Sequence, residues 1–166
     1  RTSDGPHGHW FSADGTRMAL ASTEEGSISV WDTGTNTVIF EETVGEDLVE
    51  HHAMESPMNF VSRARAHGEE VVDSHPHSLP LMAGITQSGR YAFTATSNEG
   101  KFYVFDVAAK KRIKEFLIGS GPIQTVISPD GKRVFVPLSG DGALAVIRTS
   151  DWTLEKTIPN IGAGAH

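Results

Sequence analysis

The chain has 166 residues, 38% of them hydrophobic, and a formal net charge of −7. That balance suits a soluble β protein and argues against a nucleic-acid partner, which would need a clustered basic patch. Cysteine is absent, so disulfides are excluded, and no apolar run approaches the roughly 20 residues of a membrane span.

In chain order, the first turn signal is Ser-Ala-Asp-Gly at 12–15, followed by the strand-like runs TRMALAS, SISVWDT and NTVIFEET. The same grammar returns at 86–89 (TQSG) with RYAFTAT, KFYVFDV and KRIKEFLI, and at 128–131 (SPDG) with KRVFVPL, ALAVIRT and WTLEKTIP. Each run is rich in β-branched or aromatic residues and bounded by Gly, Asp, Asn or Ser, as strands between tight hairpins are. The spacing from turn glycine to turn glycine is 11 residues in all three copies: Gly15 to Gly26, Gly89 to Gly100, Gly131 to Gly142. Asp-Gly supplies the positive φ that a tight hairpin requires.

The repeated unit is therefore four antiparallel strands. Gly89 and Gly131 lie 42 residues apart, a period that belongs to propeller blades of roughly 40–45 residues. Gly15 and Gly89 lie 74 apart, which leaves an insertion between the first two copies. The expected organisation is a blade over 1–44, an inter-blade insertion over 45–74, blades over 75–119 and 120–162, and the start of a fourth at 163–166. The predicted fold class is all-β, a β-propeller portion of about three four-stranded blades; a β-sandwich is the alternative. Three blades alone would leave two outer faces without neighbours, and a closed propeller needs typically 4–8. The expectation is a part of a larger ring, completed by remaining blades or by a partner chain.

Residues 127–159, ISPDGKRVFVPLSGDGALAVIRTSDWTLEKTIP, resemble the YVTN family of β-propeller repeats. The likeness is strong across 121–162, good across 79–119 and 5–44, and absent from 45–74. VWDT at 30–33 also resembles the ending of a WD40 blade. The sequence departs from the YVTN pattern at Pro137-Leu138 and at Arg148. The resemblance implies a seven-bladed ring and an exported protein, periplasmic or extracellular. It is nearly silent on activity.

The histidines are the chemically pointed feature. His7 and His9 form one H-x-H pair, His75 and His77 another, and His166 repeats the place of His7 in a following lead-in. In an extended segment residues i and i+2 point to the same side. The first strands of successive blades converge on one mouth of the channel, so these five histidines are candidate ligands of a shared metal, copper or zinc foremost. The alternative is structural: in the resembling family the lead-in histidine hydrogen-bonds between blades. His51, His52 and His67, with Met54 and Met58, lie in the insertion, where a solvated loop competes with a loop crossing the channel mouth.

No conventional catalytic signature is present: no G-x-S-x-G, no H-E-x-x-H and no phosphate-binding glycine loop. The aspartates read as turn and hairpin residues, and Trp10, Trp31 and Trp152 as packing between sheets. Two functions remain. One is a binding scaffold for a protein or small-molecule ligand, with or without a histidine metal site. The other is part of a copper-dependent redox enzyme, because residues 75–107 are loosely similar to the H-x-H-led blade of nitrous oxide reductases.

Overall fold

The structure, a computed structural model, describes residues 5–45 and 78–162. These contain twelve strands and no helix. The first unit is β1 (Pro6–Phe11), β2 (Arg17–Ser22), β3 (Ser27–Asp32) and β4 (Thr37–Thr43). The second is β5 (Pro80–Ile85), β6 (Tyr91–Thr96), β7 (Lys101–Asp106) and β8 (Lys111–Leu117). The third is β9 (Val126–Ile127), β10 (Arg133–Leu138), β11 (Ala143–Arg148) and β12 (Thr153–Ile158). Consecutive strands within each unit pair antiparallel.

The turns repeat because their chemistry does. In the first hairpin Ser12 Oγ donates to Asp14 Oδ1 at 2.7 Å and accepts the Arg17 amide at 3.0 Å. Ser128, Asp130 and the Arg133 amide reproduce this at 2.6 and 3.1 Å. Gly15, Gly89 and Gly131 then take φ of 69°, 69° and 70°, the left-handed conformation that glycine adopts without a steric cost. At the third hairpin Asp32 accepts the amides of Gly34 and Thr35, and Asp106 those of Ala108 and Ala109. Where the third unit has Arg148 instead, an ion pair to Asp151 at 2.7 Å closes the same turn.

Two apolar interfaces organise the molecule. Ala19, Ile28, Val30 and Phe40 of the first unit pack against Ala83, Ile85, Tyr103 and Phe105 of the second. Phe93, Phe102 and Val104 of the second pack against Val134, Val136, Ile147 and Trp152 of the third. Strand β7 alternates between these cores, Tyr103 and Phe105 to one side, Phe102 and Val104 to the other. All four are fully buried. This explains why KFYVFD reads as a nearly continuous apolar run rather than an alternating one.

The units are not three separate sheets. A single parallel pair, Gly8 with Met82, joins β1 to β5, giving an eight-stranded sheet beside a four-stranded one. Polar links reinforce the joints: the Ala13 amide donates to Gln87 O at 3.0 Å, Arg17 Nη1 to Gly89 O at 2.8 Å, and Gln87 Nε2 to Pro129 O. The all-β expectation holds. Residues 46–74 of the expected insertion, with its histidines and methionines, lie outside the described residues, as does the expected start of a fourth blade at 163–166.

Candidate functional site

Among the first strands of the three units, β1, β5 and β9, β1 is conspicuous for exposure. His7, His9, Trp10 and Phe11 all face solvent, Trp10 at 42% and Phe11 at 48%. Trp10 thus differs from the expected inter-sheet packing residue, whereas Trp152 is 5% exposed and fits that role. Trp31 is half-buried, its Nε1 donating to Ser29 Oγ at 2.9 Å.

The two histidines of β1 have different partners. His7 Nδ1 lies 2.7 Å from Leu81 O of β5. A carbonyl only accepts, so Nδ1 carries the proton and Nε2 of the neutral ring is left as an unprotonated donor atom. That is the arrangement of a metal-binding imidazole whose other nitrogen is fixed by a carbonyl. It is equally a hydrogen bond between neighbouring units. His9 instead meets Phe11 edge-on, the ring centroids 5.8 Å apart. The register of β1 against β2 shifts between Pro6 and His9, which interrupts the simple two-residue alternation. Among the described residues no group of three or more His, Cys, Asp or Glu is placed to hold a metal. His75, His77 and His166 lie outside the described residues. His7 and His9 are therefore the described candidates, and any remaining ligands would have to come from elsewhere in the chain.

A second polar cluster was not foreseen. Glu99, in the turn before β7, accepts hydroxyls from Ser78 at 2.6 Å, Thr96 at 3.0 Å and Tyr103 at 3.0 Å, all on Oε2. Burial opposes the charge, but the three hydroxyls and nearby Lys101 outweigh it and hold the carboxyl below its ordinary value. Burial and the adjacent carboxylate push the Tyr103 phenol up. Asp141 occupies the equivalent position in the third unit and accepts the Ser120 amide at 2.7 Å. Each acid tethers the segment leading into its own unit. Shallow hollows of about 310 and 430 Å³ open beside the two turns. The legible signal was the acid immediately before each turn glycine, with a tyrosine four residues on in the second unit.

This cluster sets an acid limit. A folded-state pKa below the unfolded value, about 4.3 for Glu, contributes stability that is present above that value and lost as pH falls through the folded pKa. Glu99→Gln is expected to flatten the acid limb of the stability–pH curve below about pH 4.3, measured by urea unfolding across pH. An unchanged acid limb would show that other carboxylates carry it.

The fold and its repeated registers define an all-β, propeller-like protein. No protein-family model and no curated protein matches the sequence. Among solved structures, the chain is similar to hydrazine synthase of Kuenenia stuttgartiensis, with TM-score 0.72 and 22% identity over 99% of this chain and 38% of that one. It is also similar to a provisionally assigned 6-phosphogluconolactonase of Bacteroides fragilis, with TM-score 0.63 and 14% identity over 94% of this chain and 39% of that one. The chain spans about two fifths of the length of each. At these identities the likeness concerns the fold alone.

These findings correct the expected kinship. The likeness to YVTN and WD40 repeats, and the looser one to the nitrous oxide reductase blade, do not stand: no family model matches, and the structural neighbours are other proteins. The first two units moreover share one sheet. The physical reason is that Ser-x-Asp-Gly turns and apolar strands are what any tight hairpin stack needs, so they report turn chemistry rather than descent. The seven-blade count and the exported location had rested on that resemblance and are not carried forward.

Proposed function

We propose that the chain is a propeller-type binding scaffold, its three four-stranded units being successive blades and its innermost strands forming the rim that receives a ligand. The observation that carries this reading is β1: an innermost strand that leaves two imidazoles and two large aromatic rings in solvent, where core strands elsewhere bury theirs. Rings of this kind supply contact area at low entropic cost, and imidazoles supply hydrogen bonds or metal ligation. Further four-stranded sheets complete the ring, whether from the remainder of a longer polypeptide or from a partner.

The metal-bearing form of this reading places copper or zinc at the rim, held by His7 and His9 together with His75, His77 or His166. The Leu81 carbonyl fixes the tautomer of His7, which supports it as a ligand. Such a metal would supply a Lewis-acid or redox centre; the chain's own part is to hold the imidazoles in place.

Elemental analysis of tag-free protein incubated with copper or zinc tests the metal. Stoichiometric metal is expected, lost from the double variant His7→Ala, His9→Ala while circular dichroism stays unchanged. Absence of bound metal in the parent protein would leave a scaffold without it.

A further inference from the structure

The connections between units can be aligned residue by residue through their backbone hydrogen bonds. Each unit closes on an amide that donates to a turn glycine: Val44 to Gly26 O at 2.7 Å, Ile118 to Gly100 O at 2.9 Å and Ile161 to Gly142 O at 3.0 Å. Each unit opens on a carbonyl that accepts the amide just past its second strand. Gly5 O accepts from Thr23 at 2.8 Å, Leu79 O from Ser97 at 2.9 Å and Gly121 O from Ser139 at 2.9 Å. A proline follows each time, Pro6, Pro80 and Pro122, paired with Ser22, Thr96 and Leu138. Val44 is therefore the counterpart of Ile118, and Leu79 that of Gly121.

Between the second and third units the interval so defined holds Gly119 and Ser120 alone. Between the first and second it starts with Gly45 and ends with Ser78, the same two residue types, and 32 further residues, 46–77, separate them. The two connections also share their geometry. Gly45 has φ of 105° and Gly119 of 136°, both in the region that favours glycine. Both glycines lie against the acid turn of the following unit. A methyl group at Gly45 would fall 2.8 Å from Ser78 Cβ and 3.5 Å from Glu99 Oε1, and one at Gly119 2.5 Å from Asp141 Oδ2. The serines meet the same acids: Ser78 Oγ donates to Glu99 Oε2 at 2.6 Å, and the Ser120 amide to Asp141 Oδ2 at 2.7 Å. Val44 is 2% and Ser78 5% exposed, so the flanking units hold both feet in place.

We propose that residues 46–77 are a carried element spliced into a Gly-Ser connection, and that the fold closes with Gly45 joined directly to Ser78. The scaffold and this histidine-rich stretch are then separable. The same alignment puts Leu81 and Ala83 of the second unit, and Ile123 and Thr125 of the third, in the places of His7 and His9. His75 and His77 fall to the carried element, not to the opening of the second unit. The proposal rests on the equivalence of the connections and not on a ligand at the rim.

Urea unfolding of three variants of the full chain tests this. The first lacks 46–77 and joins Gly45 to Ser78. It is expected to fold, with a midpoint at or above that of the parent, because closing a shorter loop costs less entropy. The second lacks 45–77 and joins Val44 to Ser78; without the left-handed glycine its midpoint should be lower than that of the first. The third replaces 46–77 with a Gly/Ser linker of equal length and is expected to fold. A first variant that fails to fold, or unfolds below the parent midpoint, overturns the proposal. If the linker variant then folds, the feet are too far apart for one peptide bond; if it does not, residues 46–77 belong to the fold itself. Equal midpoints for the two deletions would overturn the splice point between Gly45 and Ser78.

Discussion

Trp152→Ala is expected to lower the stability of the chain by about 3–5 kcal/mol, the range for truncating a buried aromatic to alanine. Trp152 sits in the hairpin between β11 and β12, yet its side chain is 5% exposed because it turns onto the second unit. It meets Tyr91 edge-on at 5.7 Å, Phe93 at 5.8 Å and Phe102 at 6.5 Å. One ring thereby holds the four-stranded sheet to the eight-stranded one. Its backbone has φ of 52°, the left-handed region, where Asn36 and Lys110 stand in the other two units. A bulky residue there carries a strain of order 1–3 kcal/mol, which the burial of the indole outweighs. Trp152→Asn separates the two effects: asparagine tolerates the backbone but restores none of the aromatic contact. Thermal unfolding should show both variants well below the parent, with Asn less damaging than Ala. An Asn variant as stable as the parent would mean that the ring contributes little to the joint.

The second large effect is expected from Gly8→Ala. Gly8 is the β1 residue of the one pair that joins β1 to β5. A methyl group there would fall 2.5 Å from Leu81 O and 2.9 Å from Met82 Cα. Met82 Sδ, also in the way, can swing aside, but backbone cannot. The strands must separate, which breaks the Gly8–Met82 pairing and the His7–Leu81 hydrogen bond together. Overpacking of this kind costs typically about 1–3 kcal/mol, and the backbone clash places this case at the upper end. Urea unfolding should show the loss, with faster amide exchange at Met82. A variant with parental stability would show that the joint is set by the flanking cores and not by this approach.

Strand positions were legible because the glycines that end the hairpins sit at a fixed interval. The runs at 16–22, 90–96 and 132–138 appear as β2, β6 and β10 within a residue of their expected ends. The first strands of the units were less legible. Strand β9 has two residues, too few to carry a period, and β1 has an irregular register between Pro6 and His9 that nothing in PHGH announces. The shared sheet was invisible for a related reason, since one residue pair between strands 74 positions apart leaves no pattern. Trp10 was misread because an indole next to an apolar neighbour looks like core, and exposure depends on which side of its strand it occupies. Of the site, sequence singled out His7 and His9, but the carbonyl of Leu81 that orients His7 belongs to backbone and has no sequence signature. The family likeness failed where motif and lineage part: hairpin chemistry recurs wherever four short strands must turn tightly.

The double burial of β7 has a consequence for how the chain comes apart. Tyr103 and Phe105 are locked by one neighbour, Phe102 and Val104 by the other. In a linear array with nearest-neighbour coupling, a terminal element is released by breaking one boundary, an internal element only by breaking two. Among the described residues, loosening the first or the third unit breaks one of these two cores and loosening the second breaks both, so the amides of β7 are expected to be the slowest of the three units to exchange.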